Sequence, residues 1–303
     1  MMIECGLGSV QSWECDVMGH LNVQHYVARA SESLPAMLIP LGFGPRACRA
    51  LGAELALTEH HIRFLRELRP GTPFIITGGV LAARSDGLTF YQEMHNTLGG
   101  TVAATFITET RLVDAETRAP MPLPADVTRR AEAALVALPE FAAPKGLTRE
   151  APRPRPTWAE ADRLGLALTQ QGGVGALDCD RRGLMVTRAV MGRISDAIPN
   201  MIAKTRGVDR SEEGSGGAAL EYRLVYRATP REGDMLALRS GIKAIGAKTF
   251  IWGHWLFDRE TGEAVATAAA VAVAFDLATR KSIEISAAMR ESLQKHLVPE
   301  LSL

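Results

Sequence analysis

The chain is written twice, and this constrains its fold more than any other feature, because a repeated segment of domain length has to build a core of its own in each copy. Gly8, Val10, Cys15, Asp16 and Gly19 recur as Gly172, Val174, Cys179, Asp180 and Gly183, at a constant separation of 164 residues. The same separation carries Ser31, Pro35 and Met37 onto Ser195, Pro199 and Met201. Further along, Glu59 and Gly71 meet Glu221 and Gly233 at 162, Thr89-Phe90 meets Thr249-Phe250 at 160, and Thr105, Asp114 and Thr117-Arg118 meet Thr267, Asp276 and Thr279-Arg280 at 162. Loops of unequal length produce such shifts. The preserved order of matches points to a duplication.

A chain of 303 residues has room for two domains. The stretch from Pro139 to Pro156 holds five prolines, which excludes helix interior and favours extended chain. The predicted organisation is an N-terminal domain over 1–138, a Pro-rich linker over 139–164 and a C-terminal domain over 165–303. In the first copy, Val23 to Leu41 places Val23, Tyr26, Val27, Ala30, Leu34, Met37, Leu38 and Leu41 at helical spacing, interrupted by Pro35. Leu55–Leu68, Phe74–Ala83, Leu88–Asn96 and Val102–Val113 read as strands separated by Pro, Gly, Asp and Ser turns. Ala125–Leu138 and Ser286–Leu297 read as closing helices. A long helix followed by an antiparallel meander, repeated, is an α+β architecture with the helix against the sheet.

Composition narrows the function classes. Lys+Arg and Asp+Glu both number 34, so there is no net field to draw in nucleic acid. The longest apolar run, Ala264–Phe275, is shorter than a membrane-spanning helix and reads as a buried strand. The opening residues contain no basic-then-apolar secretion signal, which implies a cytoplasmic protein. Cys5, Cys15, Cys48 and Cys179 show no metal-ligand spacing and are expected to be idle thiols, so no metal or other cofactor is expected. Gly173-Val-Gly175 is not completed to a dinucleotide fingerprint, and no GxSxG elbow is present. The Gly- and Ser-rich run Ser211–Gly217 reads as a loop near a site entrance.

The stretch carrying chemistry runs from Asp16 to Tyr26, reading D-V-M-G-H-L-N-V-Q-H-Y. Thioester hydrolysis develops charge on a carbonyl oxygen, and the unpaired N–H groups of a helix N-terminus meet such charge. Asp16 can act as general base on water or as nucleophile, and His20 can donate to the carbonyl or orient the water. Asn22 can cap the helix or position a partner, and Gly19 admits substrate close to backbone. An aspartate before a helix is also a common turn residue. This D-x-x-G turn ahead of a long helix resembles the hotdog-fold thioesterases of the 4-hydroxybenzoyl-CoA thioesterase type. The Asp16, His20, Asn22 run resembles the D-x-x-x-H-x-N segment of the acyl-ACP thioesterases, which are tandem hotdogs.

The resemblance implies a double hotdog, each repeat a central helix wrapped by an antiparallel sheet, with the site at the interface between copies. It implies an acyl-CoA or acyl-ACP thioesterase, with Asp16, His20 and Asn22 as catalytic residues and Gly19 and Tyr26 against the substrate. The second copy keeps Asp180 and Gly183 but has Leu184 and Val186 in place of His20 and Asn22, so one competent turn per chain is expected. Glu32 and Asp196 occupy equivalent helix positions and read as solvated or interface carboxylates. His61 and Arg63 are candidates for meeting CoA phosphates. Hotdog folds also host hydratases, dehydratases and non-catalytic acyl-thioester binding proteins, which remain the alternatives. A homo-oligomer stays open, since duplication itself supplies the pairing that single hotdogs gain by dimerising.

Overall fold

The computed structural model describes residues 2–206, 215–276, 278–279 and 281–303. They divide into two compact units, Met1–Pro144 and Lys145–Leu303. The first contains β1 (Ile3–Ser9), α1 (Val23–Leu38), α2 (Pro45–Ala50), β2 (Ala53–Phe64), β3 (Pro73–Arg84), β4 (Gly87–Asn96), β5 (Thr101–Asp114) and α3 (Ala125–Ala133). The second contains α4 (Trp158–Arg163), β6 (Ala167–Gly173), α5 (Thr187–Arg206), β7 (Ser215–Tyr226), β8 (Met235–Ile245), β9 (Thr249–Asp258), β10 (Ala264–Asp276) and α6 (Ala287–Gln294).

Within the first unit the strands run antiparallel in the order β1-β3-β4-β5-β2, and within the second the order β6-β8-β9-β10-β7 repeats it. Each unit lays one long helix against five strands. Ala264–Asp276 is the strand that its Ala and Val content indicates. Among the described residues no helix is long and apolar enough to cross a membrane. Of the Gly- and Ser-rich run, residues 211–214 lie outside the described residues, while Ser215 to Gly217 begin β7 instead of extending a loop.

The α1 helix starts where Asn22 accepts a hydrogen bond from the Gln24 N–H and continues through Pro35 to Leu38. Its buried residues include Tyr26, Val27, Ala30, Leu34, Met37 and Leu38. Leu34, Met37 and Leu38 join Val80, Phe90 and Leu112 of the sheet in one core. Truncating one of these leucines to alanine costs about 2–5 kcal/mol. A hydrogen bond reinforces the packing, for Gln92 on β4 donates to the Ala30 carbonyl at 3.0 Å and to Ser33 Oγ at 2.7 Å.

The hairpin register corrects one alignment. Gly78 faces Gln92 and Val80 faces Phe90, while Ser240 faces His254 and Ile242 faces Trp252. Phe90 therefore corresponds to Trp252, not Phe250, and the separation of 162 holds through both hairpins. Each hairpin accommodates its extra residue in a bulge, between Val80 and Ala82 and between Ile242 and Ala244.

Between Pro139 and Leu164 the chain forms a 3-10 turn at Glu140–Ala142, an extended stretch and α4. The extended stretch is fastened to β7. Buried Glu221 accepts from the N–H groups of Lys145 at 3.1 Å, Gly146 at 2.7 Å and Leu147 at 3.4 Å. Arg223 donates to the carbonyls of Thr148 and Glu150, and Arg227 to that of Arg153.

Candidate active site

The loop from Cys15 to Leu21 is a closed turn. Cys15 and Leu21 form a β-bridge, the Asp16 N–H donates to the His20 carbonyl at 2.8 Å, and the Gly19 N–H donates to the Asp16 carbonyl at 3.0 Å. Asp16 Oδ1 accepts from the N–H groups of Met18 at 2.9 Å and His20 at 3.2 Å. Both donors reach the same oxygen, which leaves Oδ2 of this exposed side chain for a solvent molecule. Gly19 sits at φ 74°, a conformation costly for any residue with a Cβ, although a Cβ there would meet nothing within 4 Å. The glycine serves the turn's backbone.

The repeat of this turn provides an internal comparison. Asp180 Oδ1 accepts from the N–H groups of Arg182 at 2.8 Å and Leu184 at 3.0 Å, and Gly183 sits at φ 71°. There Oδ2 is occupied, because the Arg182 guanidinium donates to it from Nε at 3.0 Å and Nη2 at 2.9 Å. Burial alone would raise the Asp180 carboxyl, but hydrogen bonds from the Leu184 and Arg182 N–H groups and the Arg182 guanidinium hold it below its ordinary range. In the first copy Met18 stands in place of Arg182 and offers no charge.

His20 and Asn22 lie in the same loop as Asp16, each with its side chain directed to a structural partner. His20 Nε2 is 3.1 Å from Glu67 Oε2. The Leu21 N–H donates to the Leu68 carbonyl at 2.8 Å, so the loop sits on the segment after β2. Asn22 Oδ1 accepts from the Gln24 N–H at 3.1 Å and caps α1. Tyr26 is 3% exposed and meets Phe64 edge to face at 5.1 Å. Burial, reinforced by the charges of Glu67 and Asp16, raises its phenol above the ordinary value against a main-chain hydrogen bond at Leu68. Tyr26 is a wall of the core beneath the turn.

His61 and Arg63 are not brought to this loop. Side chains alternate along β2, so Phe64 facing Tyr26 puts Arg63 and His61 on the other side of the sheet. His61 is 1% exposed. The Arg63 guanidinium donates to the carbonyls of Phe141 and Ala143, within the segment that follows α3. At both positions the protein's own chain covers the side chain. Glu32 is the solvated carboxylate expected, paired with Arg29 one helical turn away, and Asp196 is exposed.

Two acids that the motif did not single out complete the surroundings. Glu67 holds His20. Glu14 is 5% exposed, accepts from the Gln11 N–H at 2.9 Å and from Arg29, and lies 3.7 Å from His25 Nδ1. A signal for Glu14 exists in the repeat, since Glu14 and Arg29 recur as Asp178 and Arg193, 3.7 Å apart. Cys15 is not a candidate nucleophile, because burial and then the charges of Asp16 and Glu14 raise its thiol, and a thiolate is the reactive form.

A family model described as the thioesterase-like superfamily matches residues 10–131 and again 174–293, once on each unit. The chain belongs to the thioesterase-like superfamily. Thioester hydrolysis is the activity this membership carries, and the double hotdog that the resemblance implied is its fold. Among solved structures, this superfamily member is similar to a putative oleoyl thioesterase from Lactobacillus plantarum, at 13% identity and TM-score 0.69, over 90% of this chain and 96% of that one. It is also similar to the 12:0-ACP thioesterase from Umbellularia californica, at 13% identity and TM-score 0.68, over 90% of this chain and 94% of that one. An acyl-ACP thioesterase from Bacteroides thetaiotaomicron matches at 12% identity and TM-score 0.64, over 89% and 97%. At these identities the likeness establishes the fold. No individual curated protein matches by sequence.

Proposed function

We propose that the protein hydrolyses acyl thioesters of CoA or acyl carrier protein with Asp16 as general base. The observation that carries this reading is the difference between two turns with the same main-chain hydrogen bonding: Oδ2 is open at Asp16 and occupied by Arg182 at Asp180. Asp16 Oδ2 accepts a proton from a water molecule as that water attacks the thioester carbon. The charge that develops on the carbonyl oxygen is met by the N-terminus of α1, where the Asn22 side chain takes the Gln24 N–H and leaves that of Val23 for the oxyanion. Collapse of the tetrahedral intermediate expels the thiolate, which takes a proton back, and releases the carboxylic acid.

His20 and Asn22 act as positioning residues. His20 holds the turn on the Glu67 segment, and Asn22 sets the first turn of α1. The loop is bordered by exposed apolar side chains, with Trp13 at 78% and Val17 at 102% exposure, which suits a substrate with a hydrocarbon chain. The similarity to an oleoyl thioesterase and to acyl-ACP thioesterases supports a fatty acyl chain. Thiol release from short, medium, long and aromatic acyl-CoAs and from acyl carrier protein tests the reading. Turnover that is absent on all of them, or unchanged in Asp16→Asn, would remove it.

A further inference from the structure

The loop that carries Asp16 hangs from one residue, Glu14, two positions before it. Glu14 ends a single 3-10 turn, Ser12–Glu14, and its main chain and side chain tie together parts of the unit that are separate in sequence. Its carbonyl accepts the Asn22 N–H at 2.9 Å, so the chain entering the loop is bonded to the residue that leaves it and caps α1. Its carboxylate accepts the Gln11 N–H on Oε2 at 2.9 Å and Arg29 Nη2 on Oε1 at 2.5 Å. Arg29 lies in the second turn of α1 and also donates from Nη1 to Glu32 at 3.0 Å. Entrance, exit and helix therefore meet on one residue that is 5% exposed.

Stability alone does not select this arrangement. Arg29 Nε is buried with no hydrogen-bond partner among the described residues, and a donor left in that state is costly. The repeat shows how the same pair sits beside a turn whose carboxylate oxygens are both engaged. Asp178 takes the place of Glu14, its carbonyl accepts the Val186 N–H at 2.9 Å, and Arg193 takes the place of Arg29. Asp178 is one methylene shorter. The Arg193 guanidinium stands 3.7 Å from it and donates instead to the β6 carbonyls of Gly172 at 2.9 Å and Gly173 at 2.5 Å. Both copies keep the main-chain frame, whereas the short charged link from loop to helix is made in the copy where Asp16 Oδ2 is open and not in the other.

We infer that Glu14 and Arg29 are positioning residues, which fix the Asp16 carboxylate against the N-terminus of α1. The inference rests on Asp16 as the general base. In that reaction the thioester carbonyl has to lie between the water at Asp16 Oδ2 and the Val23 N–H, and these two groups belong to the loop and to the helix. A charge-assisted hydrogen bond is short and directional, and the planar guanidinium offers it in a fixed geometry. The loop cannot slide along α1 without breaking a buried ion pair and leaving its charges uncompensated. Without that anchor the base is free to shift, and a displacement of about 1 Å is enough to lower a rate about 100-fold.

Glu14→Asp, which shortens the side chain to that of Asp178 and keeps its charge, tests this in the full-length protein with and without Asp16→Asn. With Asp16 present, kcat on an acyl-CoA is expected to fall at least about tenfold while KM stays within about twofold. In the Asp16→Asn background the same substitution is expected to change the residual kcat by less than about twofold, because no base is left to misplace. Arg29→Lys, which keeps the charge but not the fork, should give the same pattern, and it carries the test if Glu14→Asp does not fold. Asp178→Asn, the counterpart in the other unit, should turn over as wild type does. Wild-type kcat in both Glu14→Asp and Arg29→Lys, a change in KM alone, or equal losses with and without Asp16 would each overturn the inference. Wild-type turnover in Asp16→Asn itself is a separate failure, which removes the general base and this inference with it.

Discussion

Arg182 folds back onto Asp180, placing Nε and Nη2 at 3.0 and 2.9 Å from Oδ2, in a turn that repeats the hydrogen bonding of the Asp16 turn. The same local sequence logic thus yields one carboxylate with an open oxygen and one whose oxygens are both engaged. Asp16→Asn is expected to lower kcat by ~100-fold or more, the usual scale for losing a general base. Asp180→Asn should retain most activity. Parallel steady-state kinetics on one acyl-CoA checks both, and equal losses would show two working turns or a shared folding role.

Met18→Arg asks whether an arginine at that position silences the turn. A guanidinium there can reach Asp16 Oδ2 as Arg182 reaches that of Asp180. Turnover is expected to fall ~100-fold, as for loss of the base, with the melting temperature unchanged. Met18→Leu, which brings no charge, should keep wild-type kinetics.

Glu67→Gln removes the charge that holds His20 Nε2 at 3.1 Å. If His20 positions the turn, kcat should fall by about 10–100-fold through misplacement while KM changes little. A KM-only effect would place Glu67 in substrate binding instead.

Arg63→Ala separates a structural latch from a phosphate site. Its guanidinium is engaged by the Phe141 and Ala143 carbonyls, so the variant should lose about 1–3 kcal/mol of stability in denaturant titration. The ratio of KM for acyl-CoA to KM for acyl-pantetheine should stay as in wild type. A rise in that ratio would restore Arg63 to phosphate recognition.

Stability should also depend on pH through two buried histidines. Burial lowers His60 and His254 to about 3 from an ordinary 6.5. Below 6.5 the unfolded chain binds protons that the folded one does not, so stability is full above that value and declines as pH falls towards about 3. Each histidine contributes up to about 1.4 kcal/mol per pH unit. Melting temperatures from pH 7.5 to 4.5 in wild type and His254→Gln should show a shallower decline in the variant.

The fold was legible because its strongest signals are repeated. Each of the strands predicted after α1, Leu55–Leu68 to Val102–Val113, overlaps an observed strand to within a few residues, and Asn22 and Pro35 sit where the helix pattern put them. The short α2 and α4 escaped, since six residues carry too little periodicity to register. The position of Asp16 could be read from its turn, but the state of its carboxylate could not, because that depends on residue 18 in one copy and 182 in the other. That His61 is buried and that Arg63 is engaged by the Phe141 and Ala143 carbonyls could not be read, because sequence does not tell which distant segment covers a strand. Glu67 belongs to no motif and reaches His20 only through the fold.

Glu221 gathers three successive amides at Lys145, Gly146 and Leu147 on one buried carboxylate. Composition marks this neighbourhood as the place where a protease would cut, since proline-rich connectors are usually accessible chain. A protease must draw its target into an extended conformation free of other partners, and this backbone is already held. The Lys145–Gly146 bond should therefore outlast exposed lysine and arginine sites in limited trypsin digestion. Loss of the Glu221 carboxylate would turn a protected seam into the first scissile point.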